Sequence, residues 1–538
     1  MASKDAPTDV VVIGAGHNGL VCAGYLARGG LDVTVVERRG IVGGAAVTEE
    51  FHPGFRNSVC SYVVSLLNPK VISELELHRF GLEIIERPAG GFVPLPDGRS
   101  LTTSRDMAET RRQIAKFSPA DAEAYAKFDD AIERAGLVLR EMLLETPPNL
   151  GGGLMDLLRA GKAGNRLRKL PLADQRSFLD LMTKSIGDYL DGWFESDPIK
   201  GVFGYEAVVG NMVSPYSAGS AYVLLHHAIG EVNGRIGAWG YARGGMGAIT
   251  QAMAKSAEAH GADVRVNSPV GRVIVENGSA RGVELVDGTI VRARAVAANV
   301  NPKLLYLSLV DTAALDAEFV GHMESWRCRS GSFRMNVALS ELPKFDCLER
   351  EGGALPPGAS IDVSPSLAYL EDAYYDAKTL GWARKPVISM CIPSTLDDGL
   401  APPGQHVASL FCQHFNPDLP DERNWDDAKD EAADLVVDTM TEYAPNFRGS
   451  IVGRQVLSPL DLEREFGLVG GDIFHGALHL DQIYSLRPIA GHADYRGPIS
   501  GLYMCGSGAH PGGGVTGLPG HNAAREILKD FRRKRIAA

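Results

Sequence analysis

The chain has 538 residues, of which 45% are hydrophobic and 22% are charged, a composition typical of folded proteins rather than disordered ones. Its formal net charge of −12 at pH 7 argues against a nucleic-acid partner, because phosphate binding requires a basic face. The seven cysteines are scattered and never form a C-x-x-C pair, which argues against a disulfide framework, a zinc site and a redox-active dithiol.

The first elements of the chain follow the pattern of a βαβ unit. Asp9–Ile13 is apolar enough for a buried strand, Leu20–Arg28 predicts a helix, and Asp32–Glu37 predicts a second strand. The connections between them are very short. Such spacing is typical of a parallel α/β sheet.

The turn between the first strand and the helix carries the G-x-G-x-x-G pattern of a dinucleotide-binding site. Gly14 permits the tight turn, Gly16 lets the backbone approach a pyrophosphate, and Gly19 allows close packing of helix on strand. At the end of the second strand, the Glu37 carboxylate can accept hydrogen bonds from an adenosine ribose. The cofactor-binding residues predicted in the turn are Gly14, Ala15, Gly16, His17, Asn18 and Gly19.

A glycine pair, Gly43-Gly44, follows six residues after Glu37. The βαβ unit alone is compatible with NAD or FAD, whereas a glycine pair so close to the ribose acid indicates a further loop across the pyrophosphate. The residues predicted to contact the cofactor from this region are Arg38, Gly43, Gly44, Ala45 and Ala46.

Farther along the chain, helix formers dominate Met107–Leu144 and continue to about Leu190, which predicts a mainly helical insertion. Asn277-Gly278 predicts a hairpin turn inside a small β-meander. Other predicted elements are a helix at Met246–His260 and strands at Val264–Val266, Arg272–Glu276, Arg281–Val286, Thr289–Arg292, Ala295–Ala298, Phe333–Leu339, Val387–Ile392 and His406–Cys412.

The C-terminal segment repeats the arrangement of strand, glycine turn and helix start. Gly501–Ser507 predicts a buried strand, Gly512–Gly514 the turn, and a final helix runs from about Gly520 to Arg533. Such a turn offers backbone N–H groups to the oxygen atoms of a bound nucleotide. The residues predicted to bind it are Gly506, Ser507, Gly513, Gly514 and Val515.

Together these motifs resemble those of the phytoene desaturase and CrtO-type carotenoid ketolase family of flavoproteins. Within it, the sequence is similar to the branch of pyridine nucleotide-disulfide oxidoreductase domain-containing protein 2. The wider family often has an arginine after the glycine pair, where this chain has Ala45. The resemblance implies FAD as cofactor, a backbone contact of Val270 with adenine, and a family helix start at Gly244–Gly247.

The implied fold class is α/β: a Rossmann-like FAD/NAD(P)-binding domain (three-layer ββα, GR2-type) with a second α+β substrate domain. The predicted organisation is an FAD-binding domain in three parts (1–110, 235–300 and 486–538), a mainly helical insertion at 111–234 and a substrate domain with a mixed sheet at 301–485. No second NAD-binding unit appears in the middle of the chain. Oxygen, a quinone or another diffusible acceptor is therefore expected to re-oxidise the flavin.

The resemblance also implies a long apolar substrate of polyene or isoprenoid type, held in a tunnel between the domains. Gly471–Gln482 resembles the family's substrate-facing strand, in which His475, His479 and Asp481 share one face, either a tunnel wall or a hydrogen-bonded interior. His510, in the flavin motif, acts either as an acid or base or as a backbone hydrogen-bond partner. The predicted catalytic residues are His510, His479 and Asp481, and no metal site is predicted.

Three functions remain open at this point. The first is a desaturase, saturase, isomerase or ketolase acting on a lipophilic substrate. The second is a flavin amine oxidase, which shares the N-terminal unit, although Gly508–Gly517 lacks the aromatic residues expected beside the flavin. The third is a flavin-binding regulatory protein with little catalysis. With no apolar leader or membrane span in the sequence, we expect a cytoplasmic protein that contacts membranes transiently.

Overall fold

The computed structural model describes residues 7–536, in which two seven-stranded sheets form the centres of two units. The strands are β1 (Thr8–Ile13), β2 (Val33–Val36), β3 (Thr48–His52), β4 (Phe55–Ser58), β5 (Ile84–Glu86), β6 (Gly91–Pro94), β7 (Ser100–Thr102), β8 (Glu231–Val232), β9 (Arg235–Ile236), β10 (Gly240–Ala242), β11 (Asp263–Arg265), β12 (Val270–Glu276), β13 (Ser279–Leu285), β14 (Ile290–Ala298), β15 (Phe333–Leu339), β16 (Ser360–Val363), β17 (Trp382–Cys391), β18 (His406–Phe415), β19 (Ile451–Leu457) and β20 (Leu502–Met504). The helices are α1 (His17–Arg28), α2 (Pro69–Glu74), α3 (Met107–Ala115), α4 (Pro119–Leu143), α5 (Leu154–Lys169), α6 (Leu172–Thr183), α7 (Ile186–Asp191), α8 (Asp197–Val208), α9 (Ala221–Ala228), α10 (Gly247–Ala259), α11 (Pro302–Leu304), α12 (Ala317–Ser325), α13 (Asp346–Arg350), α14 (Leu367–Leu380), α15 (Trp425–Tyr443), α16 (Phe447–Ser450), α17 (Pro459–Phe466) and α18 (Leu518–Arg532).

The first sheet is the nucleotide-binding sheet, with strand order β11-β2-β1-β14-β13-β12 and β20 paired to β14. β1, β2, β11, β14 and β20 run parallel, whereas β12, β13 and the start of β14 form an antiparallel meander. Helices α1, α10 and α18 pack together beside it. The predicted βαβ unit and hairpin are therefore present.

β14 is one continuous strand, so the prediction of two separate strands at Thr289–Arg292 and Ala295–Ala298 is wrong. Burial alternates along its first half, where the meander has one solvent-facing side, and becomes continuous over its last residues, where it is flanked by parallel strands and covered on both faces. Two different burial patterns along one strand look like two strands in the sequence.

The second sheet is the substrate sheet, ordered β19-β15-β18-β17-β16-β6-β7. Its outer face packs on α15 through apolar side chains that include Phe333, Met335 and Trp425. β6 and β7 lie within residues 1–110, the segment predicted as the first part of the FAD-binding domain, yet they pair with β16. The first segment thus contributes strands to both sheets. Helices α3 to α9 follow one another between β7 and β8 and make up a helical insertion, which begins at Met107 rather than at the predicted residue 111.

Gly471–Gln482 is not a strand, and the prediction that His475, His479 and Asp481 share a strand face is wrong. The segment is a loop between short 3-10 turns at Val469–Gly471 and Leu480–Gln482. Gly471 and Gly476 have φ of 66° and 130°, and His475 itself has φ of 59°. These left-handed conformations break the alternation on which the prediction depended.

All seven cysteines are buried and free of disulfide bonds. Between residues 7 and 536, no helix combines the length and hydropathy needed to cross a membrane.

Candidate functional site

One cavity of about 990 Å³ joins the glycine turn of the nucleotide-binding sheet to the inner face of the substrate sheet. Gly14 and Gly16 line one end, and Arg334 of β15 and Phe411 of β18 line the other. The volume is at the upper end of the range for cofactor and ligand sites. A nucleotide and a second molecule can therefore share this space.

The glycine turn has the geometry that a dinucleotide requires. Gly14 has φ of 89°, in the left-handed region that favours glycine. A Cβ atom on Gly19 would lie 2.1 Å from the Gly14 carbonyl oxygen, so the close packing of helix on strand excludes any side chain there. Asn299, directly after β14, donates from Nδ2 to the same carbonyl at 3.2 Å and holds the turn in place.

Glu37 is suitably placed for the ribose of an adenosine. Its side chain is buried, and it lines the cavity together with Val270. One carboxylate oxygen accepts the N–H of Ala15 at 2.8 Å and the other accepts the N–H of Arg39 at 2.9 Å. Each oxygen has a further lone pair for a ribose hydroxyl.

Buried polar atoms beside the turn have no hydrogen-bond partner among the described residues: Nε2 of His17, Oδ1 of Asn18 and Nδ1 of His475. Burial lowers the pKa of His17 to about 3 and that of His475 to about 4, so both rings are neutral. The two histidines line the cavity at the start of α1, where the helix dipole favours a phosphate. A neutral histidine ring can donate one N–H, so the two free ring nitrogens fit the pyrophosphate oxygens of a dinucleotide, whereas the Asn18 oxygen can only accept.

The second glycine loop lies against the first. Gly43 donates its N–H to the Ala15 carbonyl at 2.9 Å, and a Cβ atom on Gly44 would lie 3.3 Å from the Gly16 Cα atom. Any larger residue at Gly44 would move the two segments apart. This contact explains why the glycine pair comes so soon after the ribose acid.

The structure divides the predicted cofactor-binding residues into two groups. Those that line the cavity are Gly14, Gly16, His17, Glu37, Arg38, Gly44, Ala45, Val270, Ser507, Gly514 and Val515. Those that lie behind this wall and shape it are Ala15, Asn18, Gly19, Gly43, Ala46, Gly506 and Gly513.

The C-terminal glycine segment is fixed by Arg487, which is fully buried. Its guanidinium donates to the Ser507 carbonyl from Nε at 3.0 Å and from Nη2 at 2.7 Å. It also donates to carbonyls of the loop that replaces the predicted strand, those of Phe474, Gly476, Ala477 and Gln482. Burial lowers the pKa of Arg487 to about 10, which leaves it charged at neutral pH.

Of the three residues predicted to be catalytic, His479 and Asp481 lie near each other and His510 lies elsewhere, and none of them lines the cavity. His510 is buried, with Nε2 donating to the Met142 carbonyl at 3.2 Å, so it joins the flavin motif to the helical insertion. Asp481 is exposed and forms an ion pair with Arg327. His479 is half-buried near Asp481 and Arg327. The backbone-binding alternative for His510 agrees with this arrangement.

Sequence reasoning missed four polar residues in the cavity wall: Asn299, Arg334, Glu206 and Asp362. Burial raises the pKa of Glu206 to about 7 and that of Asp362 to about 6. Asn299 carried a signal, because residues after parallel strands face the ligand crevice. The other three are isolated polar residues within apolar segments, and only the tertiary structure brings them to one surface.

The glycine turns, the acid at the end of β2 and the cavity between the two sheets are the features of a dinucleotide-binding protein. The chain belongs to the flavin containing amine oxidoreductase family, whose model matches residues 19–326. Its fold class is the predicted one, and it is an FAD-dependent oxidoreductase.

Individual relatives agree with this assignment. The chain is 43% identical to pyridine nucleotide-disulfide oxidoreductase domain-containing protein 2 of Rattus norvegicus, over 97% of this chain and 94% of that protein. It is 26% identical to a lycopene-forming phytoene desaturase of Pseudescherichia vulneris, over 94% and 96% of the two chains. A solved structure of wild-type putrescine oxidase bound to putrescine superposes with a TM-score of 0.59 at 18% identity, over 98% and 99%. The resemblance to phytoene desaturases is therefore a distant one.

Proposed function

We propose that this oxidoreductase dehydrogenates, isomerises or otherwise oxidises a long apolar substrate, such as an isoprenoid, a polyene or another lipid. The observation that carries the proposal is a continuous cavity, which extends from the glycine turns of the nucleotide site into the space between the two sheets. Beyond the glycine turns the cavity wall is largely apolar. Its apolar side chains come from the segment before α2, from the helical insertion and from the loop at 471–482: Leu66, Ile132, Phe203, Leu224, Ile473 and Phe474. Such a wall suits a hydrocarbon chain.

In this proposal, FAD when bound would supply the redox chemistry by accepting a hydride, that is two electrons and one proton, from a substrate C–H bond. The protein holds the nucleotide by its glycine turns and Glu37, orients the substrate, and excludes water through the apolar wall. Oxygen, a quinone or another diffusible compound then takes the electrons. We infer a diffusible acceptor because the chain has no second G-x-G-x-x-G unit between its two flavin motifs.

Amine oxidation is the second candidate, favoured by the family match and by the carboxyl groups in the cavity wall, among them Glu206 and Asp362. An amine substrate could donate hydrogen bonds to either group. Putrescine oxidase has the same fold, but at 18% identity that likeness extends to architecture alone. A flavin-binding protein with little catalysis is the third alternative.

Anaerobic titration of the FAD-loaded protein distinguishes these functions. We expect fractions of a lipid extract to bleach the visible flavin absorption, and mass spectrometry of the bleaching fraction to identify the lipid consumed. A panel of amines should leave the flavin oxidised and release no hydrogen peroxide in air. Bleaching by amines alone would establish the second candidate, and bleaching by neither class would favour the third. Free FAD with the same fractions is the control.

Contact with an anionic membrane surface is a further part of the proposal, and helix α5 supports it. No side chain of α5 is buried, and Leu154, Leu157 and Leu158 are exposed by 71%, 69% and 57%. The helix has five cationic residues and one acidic residue. Arg168 and Lys169 have no ion-pair partner in the described part of the chain. Exposed leucines beside cations are typical of helices that lie on lipid surfaces.

Sedimentation with vesicles tests the role of α5. We expect the protein to bind vesicles containing phosphatidylglycerol more strongly than neutral phosphatidylcholine vesicles. Replacing Leu154, Leu157 and Leu158 by serine should weaken that binding by about tenfold or more, because three apolar side chains no longer enter the lipid. The matched control is the double variant Val286→Ser and Ile290→Ser, which removes exposed apolar side chains near the β13–β14 turn. Equal binding by both variants would contradict the proposal.

A further inference from the structure

Arg334 is a buried cation whose hydrogen-bonding groups are largely unused. Arg334 lies in β15, opposite Phe411 of β18, and only 1% of its surface is exposed. Nη2 donates to the Ser409 hydroxyl at 2.6 Å, whereas Nε and Nη1 have no partner in the described part of the chain. The side chain lines the cavity. Its free N–H groups are therefore available to a molecule that occupies the cavity.

The position of Arg334 on its strand explains its orientation. Side chains alternate between the two faces of a strand. Phe333, Met335 and Val337 pack in the apolar layer beside α15, whereas Arg334 and Asn336 belong to the opposite, inner face. Asn336 is satisfied there by contacts with Asn57 at 3.1 Å and Gln455 at 3.1 Å. Arg334, in contrast, has two nitrogen atoms without a hydrogen-bond partner among the described residues.

No carboxylate among residues 7–536 forms an ion pair with Arg334. The guanidinium instead lies over the Tyr62 ring, with Cζ 4.6 Å from the ring centroid. Glu206 and Asp362, two of the carboxyl groups in the cavity wall, interact electrostatically with a different arginine, Arg87. A cation-π contact offsets only part of the cost of burying a guanidinium, which stays charged in proteins. An anion is the missing partner.

We propose that Arg334 binds the carboxylate of an amphipathic substrate, whose hydrocarbon chain occupies the apolar part of the same cavity. This inference rests on the proposed function and narrows its substrate class from apolar lipids to lipids with an acidic end group. Charge-assisted hydrogen bonds from a buried guanidinium to a carboxylate are strong and directional. The same cation disfavours a protonated amine beside it.

The experiment compares ligands of one chain length and different end groups. Decanoate, decanol and decylamine are titrated into the FAD-loaded protein, and binding is followed through perturbation of the flavin spectrum and by calorimetry. We expect decanoate to bind at least about tenfold more tightly than decanol, the effect of one or two hydrogen bonds to a charged group. Decylamine should bind most weakly. Equal affinity for the acid and the alcohol in the wild-type protein would overturn the proposal.

Two variants connect the preference to the residue. Arg334→Gln should reduce the ratio of the acid and alcohol affinities to within about twofold, and Arg334→Lys should retain part of it because the cation remains. Arg329→Gln, which removes an exposed arginine paired with Asp418, is the matched control and should keep the full ratio. If the ratio of the decanoate and decanol affinities is unchanged in both Arg334 variants, the assignment is refuted, even if Arg334→Gln alters the flavin spectrum without ligand. If Arg334→Gln does not fold, the test depends on the ratio in the wild-type protein and on its decrease in Arg334→Lys.

The outcomes separate this inference from the proposed function. Bleaching of the flavin by lipids without a carboxylate, together with no preference for decanoate, would refute the inference and leave the proposed function intact. Preference for decanoate without bleaching by any lipid would support the binding site and count against oxidation.

Discussion

Gly16→Val yields a folded protein that does not retain FAD. Gly16 has φ of −68°, so a side chain causes no backbone strain. The nearest atom to an added Cβ is Nδ2 of Asn299 at 2.9 Å, a side-chain atom rather than backbone, so relief of this contact costs at most the hydrogen bond from Asn299 to Gly14. The rest of the valine side chain would enter the cavity where the backbone must approach the pyrophosphate. We expect a loss of FAD affinity of about a hundredfold or more.

Visible flavin absorption after desalting measures retention of FAD, and far-ultraviolet circular dichroism confirms the fold. Gly161→Val is the matched control, because a Cβ atom at Gly161 in α5 meets no other atom within 4 Å. That variant should retain wild-type FAD content and gain slightly in helix stability, because valine is a better helix former than glycine. Full FAD content in Gly16→Val would refute the placement of the pyrophosphate. Gly19 would be a poor choice for this test, since its side chain would collide with the Gly14 carbonyl and prevent folding.

Local sequence determined most of what could be predicted about the nucleotide unit. The β1 strand, the glycine turn, α1 and the Asn277-Gly278 hairpin depend on residues close together in the chain, and their spacing is constrained by backbone geometry. Glu37 was identifiable for the same reason, because it ends the second strand of one compact motif. These are the features that form the predicted cofactor site.

The remaining features of the site depend on contacts distant in sequence. Odd-numbered residues of Gly471–Gln482 share one face only if the backbone is extended. The segment is a loop instead, and Arg487 donates to its carbonyls. The pairing of β6 with β16 joins residues far apart in the chain. In the sequence, Arg334 is one polar residue in an apolar strand. Only the tertiary structure shows that it lines the cavity. Catalytic predictions from alternation were therefore the weakest part of the sequence reasoning.

Arg487→Met should have the largest effect on stability among the variants considered. Arg487 is 0% exposed, and its donors satisfy the carbonyls of five residues in two segments. Methionine fills similar space but donates no hydrogen bond, so these buried carbonyls would lose their partner. Each unsatisfied buried group costs about 1–3 kcal/mol. Allowing for local relaxation, we expect the free energy of unfolding to fall by about 4 kcal/mol, measured by urea denaturation.

Arg327→Met provides the comparison, since it removes an arginine from the same region whose ion pair with Asp481 is exposed, with side-chain exposures of 51% and 63%. We expect it to cost less than about 1 kcal/mol, as exposed ion pairs contribute little. FAD content gives a second measurement, because Ser507 lines the cavity and Arg487 holds its carbonyl. A destabilised variant that also loses FAD would show that one buried cation fixes both the C-terminal flavin segment and the adjacent loop. Equal stability of the two variants would mean that the loop carbonyls find other partners.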